Sequence, residues 1–351
     1  MSLHHSHSAH ERIDLYYRRN LVKSVSFLVF LVALLVATVL VSLRIGSYDT
    51  PMVELLKGLF GLSADKKVNL VVRNNRLPRI CAALLAGGGF GLAGCALQAV
   101  LHNPLASAST LGVSQGASFG AAFAIVVMGL SGVGGMGIPA CAFLGSIAVA
   151  LLILALSRFR QITPEGIVLA GVAISSMFTG ATTLLQYFAD EVELATLVFW
   201  TFGDLGNASW PELGQMALVG GGLLAYCFYH RWDYNALLSG EETATSLGIP
   251  VKRLTMVSIL LCCLCSSVTV SHVGLIHFIG LVAPHIVRMV VGNNHVYLIP
   301  GSALAGATLL LLSDLLARTA IAPAILPIGA ITSFLGGPLF LYLLFRGGKK
   351  K

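Results

Sequence analysis

The 351-residue chain is 56% hydrophobic and only 11% charged, with a mean hydropathy of +0.85, whereas soluble domains carry about 25% charged residues. This excludes an ordinary soluble enzyme and predicts an all-α, polytopic membrane protein of apolar helices about 20 residues long, not a barrel of short alternating strands. The net charge of +7 is dispersed over many short loops, so it belongs to membrane topology and not to a nucleic-acid partner.

Residues 1–20 are polar, carry His4, His5, His7 and His10, and are expected to form a disordered cytosolic leader in preference to a metal-binding tail. The first span, 21–43, follows Arg18, Arg19 and Lys23; it exceeds a signal-peptide core and lacks an A-x-A cleavage site. Further spans are expected over 78–101, 111–130, 138–156, 166–189, 213–229, 254–270, 274–291, 298–317 and 328–345, which makes ten. The membrane domain then covers 21–346, and 347–351 is a short basic tail.

Between the sixth and seventh spans, residues 237–250 read LLSGEETATSLGIP. Ser239 and Glu242 have the spacing of a capping box, Gly248 suits a left-handed helix end, and Pro250 prevents the helix from resuming. The helix, expected over 239–248, is shorter than the roughly 12–15 residues that stand alone, so neighbours must hold it. It is either an ordinary capped loop helix or an exposed docking element.

With the N-terminus in the cytosol, 14 Lys/Arg lie inside and 8 outside, seven of the eight between Arg44 and Arg79 and the last at Arg318. The remaining outer loops carry none, which supports the orientation and leaves those cations to be explained. Taken alone, they suggest anchoring to lipid phosphates. Trp200, Trp210 and Trp232 sit at expected interfaces. Small residues recur four apart (Gly87/Gly91, Gly112/Gly116/Gly120, Gly301/Ala305, Gly329/Ser333/Gly337), the pattern that lets membrane helices approach closely. Seven cysteines lie in or beside apolar windows. Cys262-x-x-Cys265 is read as packing, with no metal site and no cofactor expected.

The motifs decide the reading. Arg76-Leu-Pro-Arg79 opens the second span, followed by Asn103-Pro104 and by Gly112-Val-Ser-Gln-Gly116. Later come Phe278-Ile-Gly280-Leu-Val-Ala-Pro284-His285-Ile-Val-Arg288, Ser313-Asp314 to Arg318, and Pro327-Ile-Gly329. Glu242-Thr-Ala244 to Gly248 is similar to the coupling motif of ABC permeases. In order from Arg76 to Phe345, the series resembles the FecCD family, permeases of importers for ferric siderophores, haem and cobalamin.

The resemblance implies an inverted-repeat ABC importer permease fold in a prokaryotic inner membrane, with both termini cytosolic. It also implies a second permease subunit (the same chain or a paralogue), two cytosolic ATPase subunits, and a periplasmic or lipid-anchored substrate-binding protein. It assigns coupling to Ser239, Glu241, Glu242, Ala244 and Gly248, and docking of the binding protein to Arg76, Arg79 and Arg318. A cytosolic gate maps onto Gln161, Ile162, Thr163, Pro164 and Glu165, and the pathway onto Ser175, Ser176, Thr179, Ser333 and Gly337. The cargo stays open among siderophore, haem, cobalamin and molybdate.

Two departures from the family pattern stand out. His277 replaces a usual small residue, and Gly292-Asn293-Asn294-His295 replaces a stretch with an acid and a base. If the eighth span is regular, His277 and Arg288 share a helix face, and His277 is read as packing or hydrogen bonding. The chain has no G-x-x-x-x-G-K-[ST] and no H-E-x-x-H, so it is not expected to be an enzyme. An ion-coupled carrier is the alternative, but it needs mid-membrane carboxylates, and only Asp314, paired with Arg318, lies well inside a span.

Overall fold

The computed structural model describes residues 3–45, 50–130, 135–160 and 163–347, and among these every regular element is a helix. Ten helices lie at the expected spans: α1 (Leu3–Arg44), α4 (Leu77–Val100), α5 (Val113–Ala122, continued by a π-helical turn to Val127), α6 (Gly137–Arg160), α7 (Pro164–Phe188), α9 (Trp210–Tyr229), α12 (Val251–Val273), α13 (Ile279–Val291), α14 (His295–Thr319) and α15 (Ile328–Gly347). Five short helices fill the connections: α2 (Met52–Leu59), α3 (Lys66–Val71), α8 (Glu191–Phe202), α10 (Arg231–Leu237) and α11 (Glu241–Ser246). Among the described residues six helices are long and apolar enough to cross a membrane by length and composition alone, and three shorter ones are apolar.

Residues 3–20 correct the expectation of a disordered leader. They continue α1 without a break, and the whole stretch contains no Gly or Pro to stop a helix.

The core is built by backbone contact at glycines. A Cβ on Gly87 or Gly91 of α4 would lie 2.4 or 2.2 Å from the carbonyl oxygen of Gly306 or Ser302 on α14. Gly116 and Gly120 of α5 meet Gly145 and Cys141 of α6 in the same way. No hydrophobic drive joins helices within lipid, so such close approach supplies the packing energy.

Two halves, α4–α7 and α12–α15, repeat one plan with inverted direction. α4 packs on α14 as α12 packs on α6, and α5 packs on α6 as α13 packs on α14. Each half also breaks after its first helix. The chain turns at Gly112 (φ 90°) before α5 and at Phe278 (φ 66°) before α13. The uniform span expected over 274–291 is therefore corrected: residues 274–278 form an entry segment, and His277 precedes the helix instead of sharing a face with Arg288.

Candidate functional site

At one end of the bundle α10 and α11 lie between α9 and α12. α10 is fixed from within. The buried Tyr234 hydroxyl lies 2.8 Å from Ser258 Oγ, and His102 Nε2 is 3.1 Å from the Leu237 carbonyl. Asn235 Oδ1 accepts from the His295 amide at 2.8 Å, while its Nδ2 donates to Asn294 Oδ1 at 3.0 Å. The altered Asn293-Asn294-His295 stretch thus latches this short helix to α14.

α11 projects beyond the latch. Ala244 is its one buried residue; Glu241, Glu242, Thr243, Thr245, Ser246 and Leu247 are exposed. Gly248 takes the left-handed conformation (φ 84°), and the Ile249 and Gly248 amides return to the carbonyls of Ala244 and Thr245, a Schellman end as expected. The start differs from expectation. The N-cap is Gly240 (φ 102°) with no side-chain cap, and the Ser239–Glu242 capping box does not form. Ser239 instead belongs to the turn closing α10, its amide bonded to the Ala236 carbonyl. It is therefore already committed when α11 begins.

Of the expected gate, Gln161 and Ile162 lie outside the described residues. Thr163 caps α7, its Oγ1 accepting from the Gly166 amide at 3.3 Å; Pro164 opens the helix and Glu165 is exposed. Along α7, Leu169, Val172, Ser176, Met177, Gly180, Leu184 and Tyr187 form one exposed face, with Thr179 beside it. Ser175 points the other way: half-buried, it bonds the Gly171 carbonyl and a Cβ on Gly112 would meet it. On α15, Ser333 and Gly337 are half-buried. Gly336, not Gly337, makes the tight contact, against the Phe278 side chain.

At the opposite end the three arginines expected to face a partner are turned inward. Asp314 is fully buried; its Oδ1 receives Arg79 Nε at 2.8 Å and its Oδ2 receives Arg318 Nε at 2.9 Å. Arg318 also donates to the Ile45 carbonyl and to Ser42 Oγ, and Arg76, only 7% exposed, donates to the Leu43 carbonyl at 2.7 Å. The side chains of Arg79 and Arg318 are 14% and 12% exposed, so they present only their edges. The cluster ties the ends of α1, α4 and α14 together, which gives these outlying charges a structural reason.

The other motif residues are local. Asn103 Oδ1 accepts from the Leu105 amide, which starts the turn through Pro104. Pro284 lies inside α13, His285 is 6.2 Å from the Phe340 ring, and Arg288 donates to Gln98 at 2.9 Å. Pro327 precedes α15. No group of three His, Cys, Asp or Glu among the described residues could hold a metal.

The Asn235 latch was missed because its partners lie about sixty positions away and no spacing signals it. Asn235→Ala is expected to cost about 1–3 kcal/mol through unpaired buried groups, lowering Tm and opening 238–248 to limited proteolysis. Unchanged Tm and cleavage would show that α10 is held without it.

The family model described as the FecCD transport family matches residues 34–346. An uncharacterised ABC transporter permease protein of Methanocaldococcus jannaschii is 47% identical over 337 residues, covering 93% of this chain and 96% of its own. The hemin transport system permease protein of Yersinia pestis is 36% identical, covering 90% and 94%. The vitamin B12 import system permease protein of Escherichia coli is 38% identical, covering 80% and 85%. A solved chain assigned to a metal-chelate type ABC transporter, in an inward-facing conformation, aligns with a TM-score of 0.80 at 30% identity over 92% of this chain and 99% of that one.

Proposed function

This chain belongs to the FecCD transport family of ABC permeases, and we propose that it forms the translocation pathway for a metal chelate of the ferric siderophore, haem or cobalamin kind. Relatives that match over most of its length include a hemin and a vitamin B12 permease. Its apolar helices and its ABC permease relatives together imply a multi-pass protein of the prokaryotic inner membrane; we place both termini in the cytosol because that orientation leaves most outer loops without cations.

α11 carries the reading. A six-residue helix with one buried side chain, held at the bundle end by a latched neighbour, is a lever for a partner and not a core element. The partner it fits is a cytosolic ATPase, two copies serving two permease chains. The second chain, a copy or a paralogue, would cover the exposed face of α7 and bring Ser176, Thr179, Ser333 and Gly337 to the pathway between them. Thr163, Pro164 and Glu165, at the start of α7, would then stand at its cytosolic mouth. A substrate-binding protein would deliver cargo at the end where α4 begins. An ion-coupled carrier gains no support, because the only buried carboxylate among the described residues, Asp314, is held by two guanidinium groups.

Reconstitution with ATPase and binding protein tests this. Glu242→Lys and Gly248→Trp should abolish ATP-driven uptake while leaving the purified permease monodisperse. Glu242 is exposed, and a Cβ on Gly248 meets nothing within 4 Å, though its φ of 84° disfavours any side chain. Normal uptake by both variants would remove α11 from the coupling path.

A further inference from the structure

Where the two helix breaks approach one another the bundle forms a half-open cavity of about 190 Å³, lined among others by Phe90, Ser107, Thr110, Ser266, His277 and Phe278. The hydroxyls on one wall are satisfied: Thr110 Oγ1 donates to the Ser107 carbonyl at 2.9 Å, and Ser107 Oγ donates to Thr110 Oγ1. Across from them Ser266, 1% exposed, has an Oγ without a partner, and so does the buried Nδ1 of His277. The His277 imidazole makes no hydrogen bond to any described residue. Buried polar groups are rarely left so, since each costs free energy until something pairs with it.

Each corner of the cavity touches a helix assigned above to the pathway. The first corner reaches α7 through Thr110, whose carbonyl oxygen a Cβ on Gly171 would meet at 2.8 Å, and the second reaches α15 through Phe278 and Gly336. In transporters, discontinuous helices meeting at the interface of inverted repeats are where cargo is held. Pockets that enclose a whole ligand run to roughly 300–1,000 Å³, so this one receives only part of a bulky cargo. A resident metal ion does not fit, because His277 is the only strong ligand lining the cavity. A metal that arrives already chelated needs just one more donor, and imidazole suits first-row transition metals such as iron, nickel and copper.

We propose that this cavity is a transit site at which the imidazole of His277 takes an open coordination position of the metal in a passing chelate. A ring nitrogen donates its lone pair to the metal and displaces a bound water, with no change in oxidation state. A single protein ligand holds the cargo weakly, as passage requires. This rests on the transporter reading above.

The test uses the permease assembled with its ATPases in lipid nanodiscs, titrated separately with ferric haem and with aquocobalamin. Both metals offer an axial position to a nitrogen donor. Absorption, with electron paramagnetic resonance for the haem, should show one nitrogen-ligated metal per permease chain that is lost in His277→Gln and replaced by a thiolate-type spectrum in His277→Cys. The N-terminal histidines are present in every variant and form a common background. Identical spectra for wild type and both variants with both probes would overturn the proposal and leave the cavity to water. ATP-driven uptake of the same chelates is measured in parallel vesicles. Import with an idle His277 would remove the transit site alone. A His277-dependent signal without import of either chelate would keep the site and count against the cargo reading.

Discussion

Asp314→Asn is expected to destabilise the bundle by about 3–5 kcal/mol, the usual cost of removing one partner from a buried ion pair. Asp314 is fully buried, with Arg79 Nε at 2.8 Å from one oxygen and Arg318 Nε at 2.9 Å from the other. Asparagine keeps the shape but leaves two guanidinium groups facing each other with no charge between them. Only Asp204, 3.8 Å from Arg79 Nη1 and half exposed, would then offset them. Replacing all three residues by apolar ones of similar volume should cost much less, because the desolvation of the charges goes with them. Tm and the monodisperse fraction in detergent measure both variants. A single mutant as stable as wild type, or a triple mutant worse than the single, would mean that the cluster is not the clasp of α1, α4 and α14.

The same geometry changes what a charge-reversal experiment on these arginines reports. Glutamate at Arg79 or Arg318 would face Asp314 and act on folding, so any lost affinity for a binding protein needs a stability control beside it.

The ten spans and their order could be read from the sequence because windows of about twenty apolar residues leave few other outcomes. The second helix break could not. His277-Phe278 sits inside the apolar window 274–291, and hydropathy carries no information about φ. The capping signals were only half informative. At Ser239 the spacing was present but the residue was already used by the preceding turn. Boxes do form elsewhere: Asp190 with Glu193 at the start of α8, in a stretch assigned to a connection, and Ser209 with Glu212 at the start of α9. The outlying arginines were visible as exceptions to the charge rule, yet the rule says nothing of the carboxylate that meets them. Asp314 and Arg318, one turn apart, could be paired by spacing; Arg79, 235 positions away, could not. The family resemblance singled out 239–248, whose coupling role is a proposal, and the latch behind it came only from structure.

Gly94→Ala should be among the most damaging single substitutions in the protein, although it adds one methyl group. A Cβ there would lie 1.8 Å from the Gly280 carbonyl oxygen, 2.6 Å from its carbon and 2.9 Å from its Cα. All three are backbone atoms, so no rotamer change can relieve the overlap, and α4 must move away from the first turn of α13. Overpacking against side chains costs about 1–3 kcal/mol, and a backbone clash should exceed that. Gly221→Ala on α9 makes the same chemical change where nothing lies within 4 Å; it should be neutral or stabilising by up to about 1 kcal/mol from helix propensity. Gly301→Ala separates the two kinds of clash. Its Cβ would meet Val287 Cγ1 at 2.6 Å, a side-chain contact that Val287→Ala should relieve. No such second-site trimming exists for Gly94, because the opposing atoms belong to a residue with no side chain. Thermal unfolding of the three variants and the rescued pair decides the matter. A Gly94→Ala protein within a few degrees of wild type would mean that α4 and α13 are not in backbone contact, and the cavity their neighbours line would lose its wall.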